Sequence, residues 1–431
     1  MEATSSSPSP AADEPSSRGA LVVVFLTVFI DLLGFGIVLP VMPRQAEPYL
    51  GALGLSPLAA GAVIGLLFSV FSLMQFLFSP LWGQVSDRIG RRPVLLVSLV
   101  GSVVFYALYG FAVTFPPEQA RLALGLMLLA RVGAGIAGAS VGTAAAVIAD
   151  CTRPENRARG MALIGIAFGA GFTLGPLIAY FGLALFRRQP WGVGALASLL
   201  SFVALLIAIF VFKETRRPGQ AARERPALGR MAAVMRTPAL GALVLVYALS
   251  IVAFANFEAT LARLTETVFR MGDDDNFLVF AFIGSMLMLA GGAYRPLAKR
   301  LAETTLLRGG IALMMSGLAG IGLVAWNAYG SAGGSVAMRT LFYLSSALAV
   351  AGFAAVSPSV SALISRRADP ERQGEVLGVN QSFASLGRIV GPSTGSILFA
   401  AHPSHVLPFV AAVLLLAGVL ALVPRRAAFE S

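Results

Sequence analysis

Gly83-Gln84-Val85-Ser86-Asp87-Arg88-Ile89-Gly90-Arg91-Arg92-Pro93 is a short basic loop held between two apolar runs, 58–82 and 93–114. Both runs exceed the roughly 20 apolar residues that cross a bilayer at 1.5 Å per residue. Within the loop, Gly83 permits close helix approach and Gly90 a tight turn. Asp87 stands among Arg88, Arg91 and Arg92, so one acid and three cations can cluster where the chain leaves one apolar run and enters the next. The reading of this loop depends on what surrounds it.

Outward from the loop the whole chain is apolar. Its 431 residues are 57% hydrophobic and 12% charged, with mean hydropathy +0.81, against about 25% charged residues in soluble domains. Apolar runs recur at roughly 20–43, 58–82, 93–114, 121–149, 159–186, 190–212, 237–262, 276–294, 305–326, 336–364, 374–400 and 403–423. The expectation is an all-α integral membrane protein with twelve transmembrane helices. A net charge of +11 does not imply nucleic acid, because the basic residues sit in short loops, where they set topology. With the N-terminus inside, the inner loops collect Arg88, Arg91, Arg92, Arg153, Arg157, Arg159, the basic run from Lys213 to Arg236, Arg295, Lys299, Arg300, Arg308, Arg366, Arg367 and Arg372. The outer side holds few: Arg44, Arg121, Arg187, Arg188, Arg263, Arg270 and Arg339. Both termini are therefore expected in the cytoplasm. Cys151 is the single cysteine, so no intrachain disulfide forms, and His402 and His405 read as loop residues rather than a metal site.

Residues 1–18 are rich in Ser, Pro and Ala and are expected to be a disordered cytoplasmic N-terminus. They lack the basic n-region of a secretory signal. The charged stretch 213–236 divides six runs from six, giving bundles at 19–212 and 237–424, a cytoplasmic linker between them and a tail at 425–431. An internal repeat relates the bundles. Pro154-Glu155 precedes Gly175-Pro176 by the same distance as Pro370-Glu371 precedes Gly391-Pro392, and Gly171 matches Gly387. Two pseudo-symmetric six-helix bundles around a central pathway are a known transporter plan.

With those spans in place, G-x-x-x-D-R-x-G-R-R at Gly83–Arg92 resembles the loop signature of the major facilitator superfamily. Other features resemble its drug/proton antiporters. Asp31-x-x-Gly34-x-Gly36-x-x-x-Pro40-x-x-Pro43 looks like the first span of tetracycline/proton antiporters. The fourth span carries Arg131 followed by Gly135, Gly138 and Gly142 on one helix face. Gly171-x-x-x-Gly175-Pro176 is similar to the antiporter motif of the fifth span, with Ala179-Tyr180 where a glycine pair is usual. The resemblance implies the major facilitator fold and a cytoplasmic gate made of Gly83, Asp87, Arg88, Gly90, Arg91, Arg92 and Asp150. It further implies that Asp87 approaches the start of the eleventh span, where a helix dipole favours negative charge, and that the gate joins the halves in the outward-facing state. It also gives Arg131 a part in proton transfer. Gly171, Gly175, Pro176, Gly391 and Pro392 are expected to form a helix-packing motif.

Polar residues inside the spans are the remaining candidates. Asp31 lies mid-span, where an ionised side chain costs about 2.5–3.5 kcal/mol on insertion scales. It reads either as a proton carrier or as a fixed partner of Arg131 or Arg388. Proton coupling is assigned to Asp31, Arg131 and Glu258, although Glu258 could instead lie near the outer headgroups. The candidate substrate cavity is lined by Asp31, Gln75, Asn256, Glu258, Asn380, Gln381 and Arg388. Ser72, Gln75 and Ser79 share one face of the second span and could bond substrate or a neighbouring helix. Gln381 and Arg388 share a face of the eleventh, and a mid-span arginine does not face lipid.

No G-x-x-x-x-G-K-[ST] loop is present to bind a nucleotide, and no nucleophile–base set suggests an enzyme. The expected function is proton-coupled efflux of small organic molecules, tetracycline-like ones first, by a monomer in a bacterial inner membrane. The coupling ion is the proton, and no cofactor is expected. Proton-coupled uptake of a metabolite is the alternative, and a transport-inactive membrane receptor a third.

Overall fold

Proline and glycine set the joints of an otherwise helical chain. The computed structural model describes residues 14–152, 157–215, 228–329, 334–369 and 373–423. Its helices, in order, are α1 Glu14–Val38, α2 Met42–Ala52, α3 Pro57–Ile89, α4 Arg91–Ala112, α5 Ala120–Ala137, α6 Val141–Cys151, α7 Arg157–Gly182, α8 Gly192–Val211, α9 Leu228–Arg236, α10 Pro238–Phe269, α11 Asp273–Ala298, α12 Glu303–Ala328, α13 Val336–Arg367, α14 Gln373–Ala401 and α15 Leu407–Leu422. Among the described residues, ten helical segments are long and apolar enough to cross a membrane, and α15 is apolar but shorter. The protein is an all-helical, multi-pass membrane protein with about ten to twelve apolar helices.

Three joints depart from the expected spans. The first apolar run does not continue as one helix to residue 43: α1 ends at Val38, a turn at Leu39-Pro40-Val41 follows, and α2 starts at Met42 with Pro43 in its first turn. Residues before a proline are pushed out of the helical region, and proline fits the first turn of a helix, where its missing N–H is not needed. At its other end α1 begins at Glu14, so residues 14–18, expected to be disordered, are helical. The fourth run is broken by a 3₁₀ step at Gly138–Ser140, between α5 and α6. Here three successive carbonyls accept side-chain bonds: Ile136 from Trp82 Nε1 (2.6 Å), Ala137 from Ser98 Oγ (2.7 Å) and Gly138 from Gln75 Nε2 (3.1 Å). Side-chain donors inserted into a helix ladder are a recognised cause of such breaks. Within the expected linker 213–236, α9 is helical and buries Val234.

The glycine motifs of the sequence are two halves of one kind of contact. A Cβ on Gly175 would lie 3.0 Å from the Leu33 carbonyl oxygen and 3.2 Å from Gly36 Cα, so α7 and α1 touch backbone to backbone. In the second half a Cβ on Gly391 would lie 2.7 Å from the Val252 carbonyl oxygen, which brings α14 against α10 in the same way. Small residues permit this approach where helix packing within lipid relies on van der Waals contact. The two halves then meet through α3 against α14 and α7 against α11. Gly61 and Gly65 lie on the α14 backbone at Ser396 and Ser393, and Gly284 lies on Thr173.

Candidate functional site

The near end of the molecule carries the Gly83–Pro93 loop, and the opposite, far end carries Arg44, Arg188 and Asp273. At the near end Arg91 is buried. Its Nη1 donates to Asp87 Oδ1 (2.5 Å) and Ser86 Oγ (2.7 Å), and its Nε donates to Asp150 Oδ2 (3.2 Å). One guanidinium thus ties α3, α4 and α6 together. Gly83 is buried, and its carbonyl accepts from Ser86 Oγ. Arg88 is exposed, and Arg92 donates from Nη2 to the Ile209 carbonyl at 2.8 Å. The expected approach of Asp87 to the start of α14 falls on residues 370–375, whose side chains lie outside the described residues.

Sequence reasoning missed a further partner. Glu214, just after α8, accepts from the backbone N–H groups of Arg91 (2.9 Å) and Arg92 (3.0 Å), so its carboxylate caps the first turn of α4. Negative charge at that end is favoured by the helix dipole. Gly90 has φ +109°, and a Cβ there would collide with the Glu214 carboxylate. The signal was an acid two residues beyond the sixth apolar run.

At the far end the charges cross between halves. Arg44 pairs with Glu266 (3.2 Å) and Asp273 (3.1 Å), and Arg188 pairs with Asp274. The acids at Asp273–Asp275 open α11; their run opposite the Arg44 and Arg187–Arg188 loops was legible but unused. His405, in the adjoining loop, donates from Nδ1 to the Phe399 carbonyl (2.7 Å) and stacks on the Phe399 ring at 4.1 Å. Burial and the nearby Arg263 push its pKa below the ordinary histidine value.

Between the ends, helix faces decide which side chains lie outside the helix–helix contacts. On α14, Gly387, Gly391 and Gly395 face α10, while Ile389, Ser393 and Ser396 meet α3. Leu386, Val390 and Ile397 are exposed apolar residues on the outside. Arg388 and Gln381 occupy the remaining face, between α10 and α3, with Gln381 exposed and Arg388 half-buried. On α10, Ala255 meets α14 and Phe254 stacks on Phe353 of α13 at 3.9 Å. Glu258 follows them by one turn and so projects between α13 and α14. Its Oε1 is buried with no hydrogen-bond partner among the described residues, and Arg388 is the cation whose field reaches it. Gln75 and Ser72 lie on the face of α3 between its α5 and α14 contacts, and Gln75 is tied to Gly138.

Two expectations change here. Asn256 is buried at the seam of α10 and α15, where its Nδ2 donates to the Pro408 carbonyl (2.9 Å), and Asn380 is 2% exposed, so neither offers surface to line a cavity. Burial of these amides is a distinction periodicity alone does not make. Arg131 is likewise enclosed, at 2% exposure, inside the first half. Its Nε donates to the Leu67 carbonyl (3.1 Å), and its guanidinium lies over the rings of Phe71 (4.6 Å) and Phe35 (5.3 Å). Asp31 lies on α1 one turn before Phe35; its side chain is outside the described residues.

Comparison with known proteins places this geometry. A family model described as the Major Facilitator Superfamily matches residues 24–392 and 322–430. The chain is 31% identical over 424 residues to Major facilitator superfamily domain-containing protein 10 of Bos taurus, covering 88% of this chain and 86% of that one. It is 30% identical over 393 residues to Tetracycline resistance protein, class C, of Escherichia coli, covering 90% and 91%. The crystal structure of the human organic anion transporter MFSD10 (TETRAN) matches with a TM-score of 0.64 at 25% identity, over 95% of this chain and all of that one.

Proposed function

Because this chain belongs to the major facilitator superfamily, we propose that it is a proton-coupled exporter of small organic molecules that works by alternating access. In this reading twelve spans form two six-helix halves, the near end and both termini face the cytoplasm of a bacterial inner membrane, and the monomer is the working unit. The observation that carries it is the placement of the gates. The Asp87–Arg91–Asp150 triad is closed within one half at the near end, while the described ion pairs between halves gather at the far end. That is the arrangement of a carrier sealed to the outside.

Export is favoured by the similarity to a tetracycline resistance protein over nine-tenths of both chains, and tetracycline-like compounds are the first substrates to try. Organic anions are the second class, favoured by the mid-span cation Arg388 and by the likeness to the human organic anion transporter. Proton entry supplies about 2.3 kcal/mol per charge per 100 mV. Asp31 and Glu258 are the proposed proton sites, and Arg131 sets the field around the first of them.

The test is proton flux in proteoliposomes loaded with a pH dye, for the wild type and Asp31→Asn. Substrate-driven proton counterflow, lost in the variant, is the expected result. Protons moving in the same direction as substrate would replace export with uptake, and counterflow surviving in the variant would remove Asp31 from coupling.

A further inference from the structure

Glu258 on α10 and Arg388 on α14 are an acid and a cation on packed neighbouring helices, Glu258 between α13 and α14 and Arg388 on the α14 face between α10 and α3. Neither has a hydrogen bond to a described residue, and they are not within ion-pair distance of each other. The glycine contacts set their levels. Gly387 abuts Ala248 and Ile251, and Gly391 abuts Val252 and Ala255. The two helices run in the same direction, so position 388 is level with about the middle of that α10 stretch, and Glu258 lies roughly 10 Å further toward the far end at 1.5 Å per residue. The described neighbours do not supply the missing partners. Gln381 stands on the near-end side of Arg388, Gln75 is engaged by Gly138, and Arg131 is enclosed by Leu67, Phe71 and Phe35.

We infer that the region between Glu258 and Arg388 selects amphoteric molecules, holding a protonated amine at Glu258 and an anionic group at Arg388. The inference rests on the reading of this region as the substrate site and adds the substrate's charge pattern to it. A buried charged group without a partner is costly, and a ligand that supplies the partner recovers that cost. A purely cationic ligand leaves Arg388 unanswered, and a purely anionic one leaves Glu258 so. Charge-assisted bonds of this kind are strong and directional, so the spacing of the two groups acts as the filter.

The test uses three probes that share one skeleton: a fluoroquinolone with a piperazine amine and a carboxylate, its methyl ester, and its N-acetyl derivative. Binding to the purified full-length protein is followed by the fluorescence of the probe. The parent should bind about tenfold more tightly than either derivative, a difference of about 1.4 kcal/mol. Glu258→Gln should abolish the preference over the N-acetyl compound, and Arg388→Gln the preference over the ester. Equal affinity for all three overturns the inference, as does absence of binding by any of them to protein with normal thermal unfolding. So does a Glu258→Gln/Arg388→Gln double variant that regains wild-type binding, since the two charges would then serve only each other. Transport fails separately: charge-blind binding leaves proton-coupled flux intact, whereas absence of flux with every compound removes the exporter reading.

Discussion

The near-end and far-end charge clusters use the same side chains in opposite ways. Arg91, Asp87 and Asp150 are largely buried and belong to one half. Arg44, Glu266, Asp273, Arg188 and Asp274 are a third to a half exposed and bridge the two halves. An exposed pair contributes about 0–1 kcal/mol, which suits a contact that must break in each cycle. A buried pair is different: removing one member strands the other, at about 3–5 kcal/mol. The near-end cluster therefore behaves as part of the first half's own structure, and the far-end cluster as a closure between bodies.

The sharpest way to break this comparison is Arg91→Ala. It leaves two buried carboxylates facing one another and should destabilise the protein by about 3–5 kcal/mol, read as a large fall in the thermal unfolding midpoint in detergent. A fall no larger than that of Arg44→Ala would erase the distinction between the ends.

Gly90→Ala should cost less, about 1–3 kcal/mol, because a left-handed backbone is strained for any residue with a Cβ. The same Cβ strikes Glu214, so adding Glu214→Ala should recover part of the loss. Strict additivity of the two changes would show that the cap and the turn are independent.

The smallest effect belongs to the far end. Arg44→Gln should leave unfolding nearly unchanged yet open the closure, with a population shift of no more than about fivefold for a loss of up to 1 kcal/mol. With Cys151, the single native cysteine, replaced, a Ser396→Cys reporter under the α3–α14 contact should react faster with a small maleimide. Unchanged labelling would assign the closure to the Gly61 and Gly65 contacts rather than to charge.

Much of this was legible in the chain because membranes impose simple rules. Run length located the long helices, and the repeat of Gly171-x-x-x-Gly175 as Gly387-x-x-x-Gly391 announced two equivalent packing seams. The loop pattern brought Asp87, Arg91 and Asp150 to attention before any coordinates, and they do meet. Asn256, Asn380 and Arg131 were harder. Each lies in a span at a plausible depth, but which way a side chain points depends on the helices around it: α15 claims Asn256 and the Phe35–Phe71 pair claims Arg131. Glu214 was invisible as a cap because its partner helix begins more than a hundred residues earlier.

By itself the sequence determined that this chain lives in a membrane, roughly where its long helices lie, and which family it joins. Those follow from local quantities: apolar length, the backbone limits of proline and glycine, and the placement of arginine. Only the tertiary structure decided which polar groups are buried in helix seams and which charges pair across the two halves. Those depend on contacts between residues far apart in the chain, such as Arg44 with Asp273 or Ser69 with Ser393, and no local pattern encodes them.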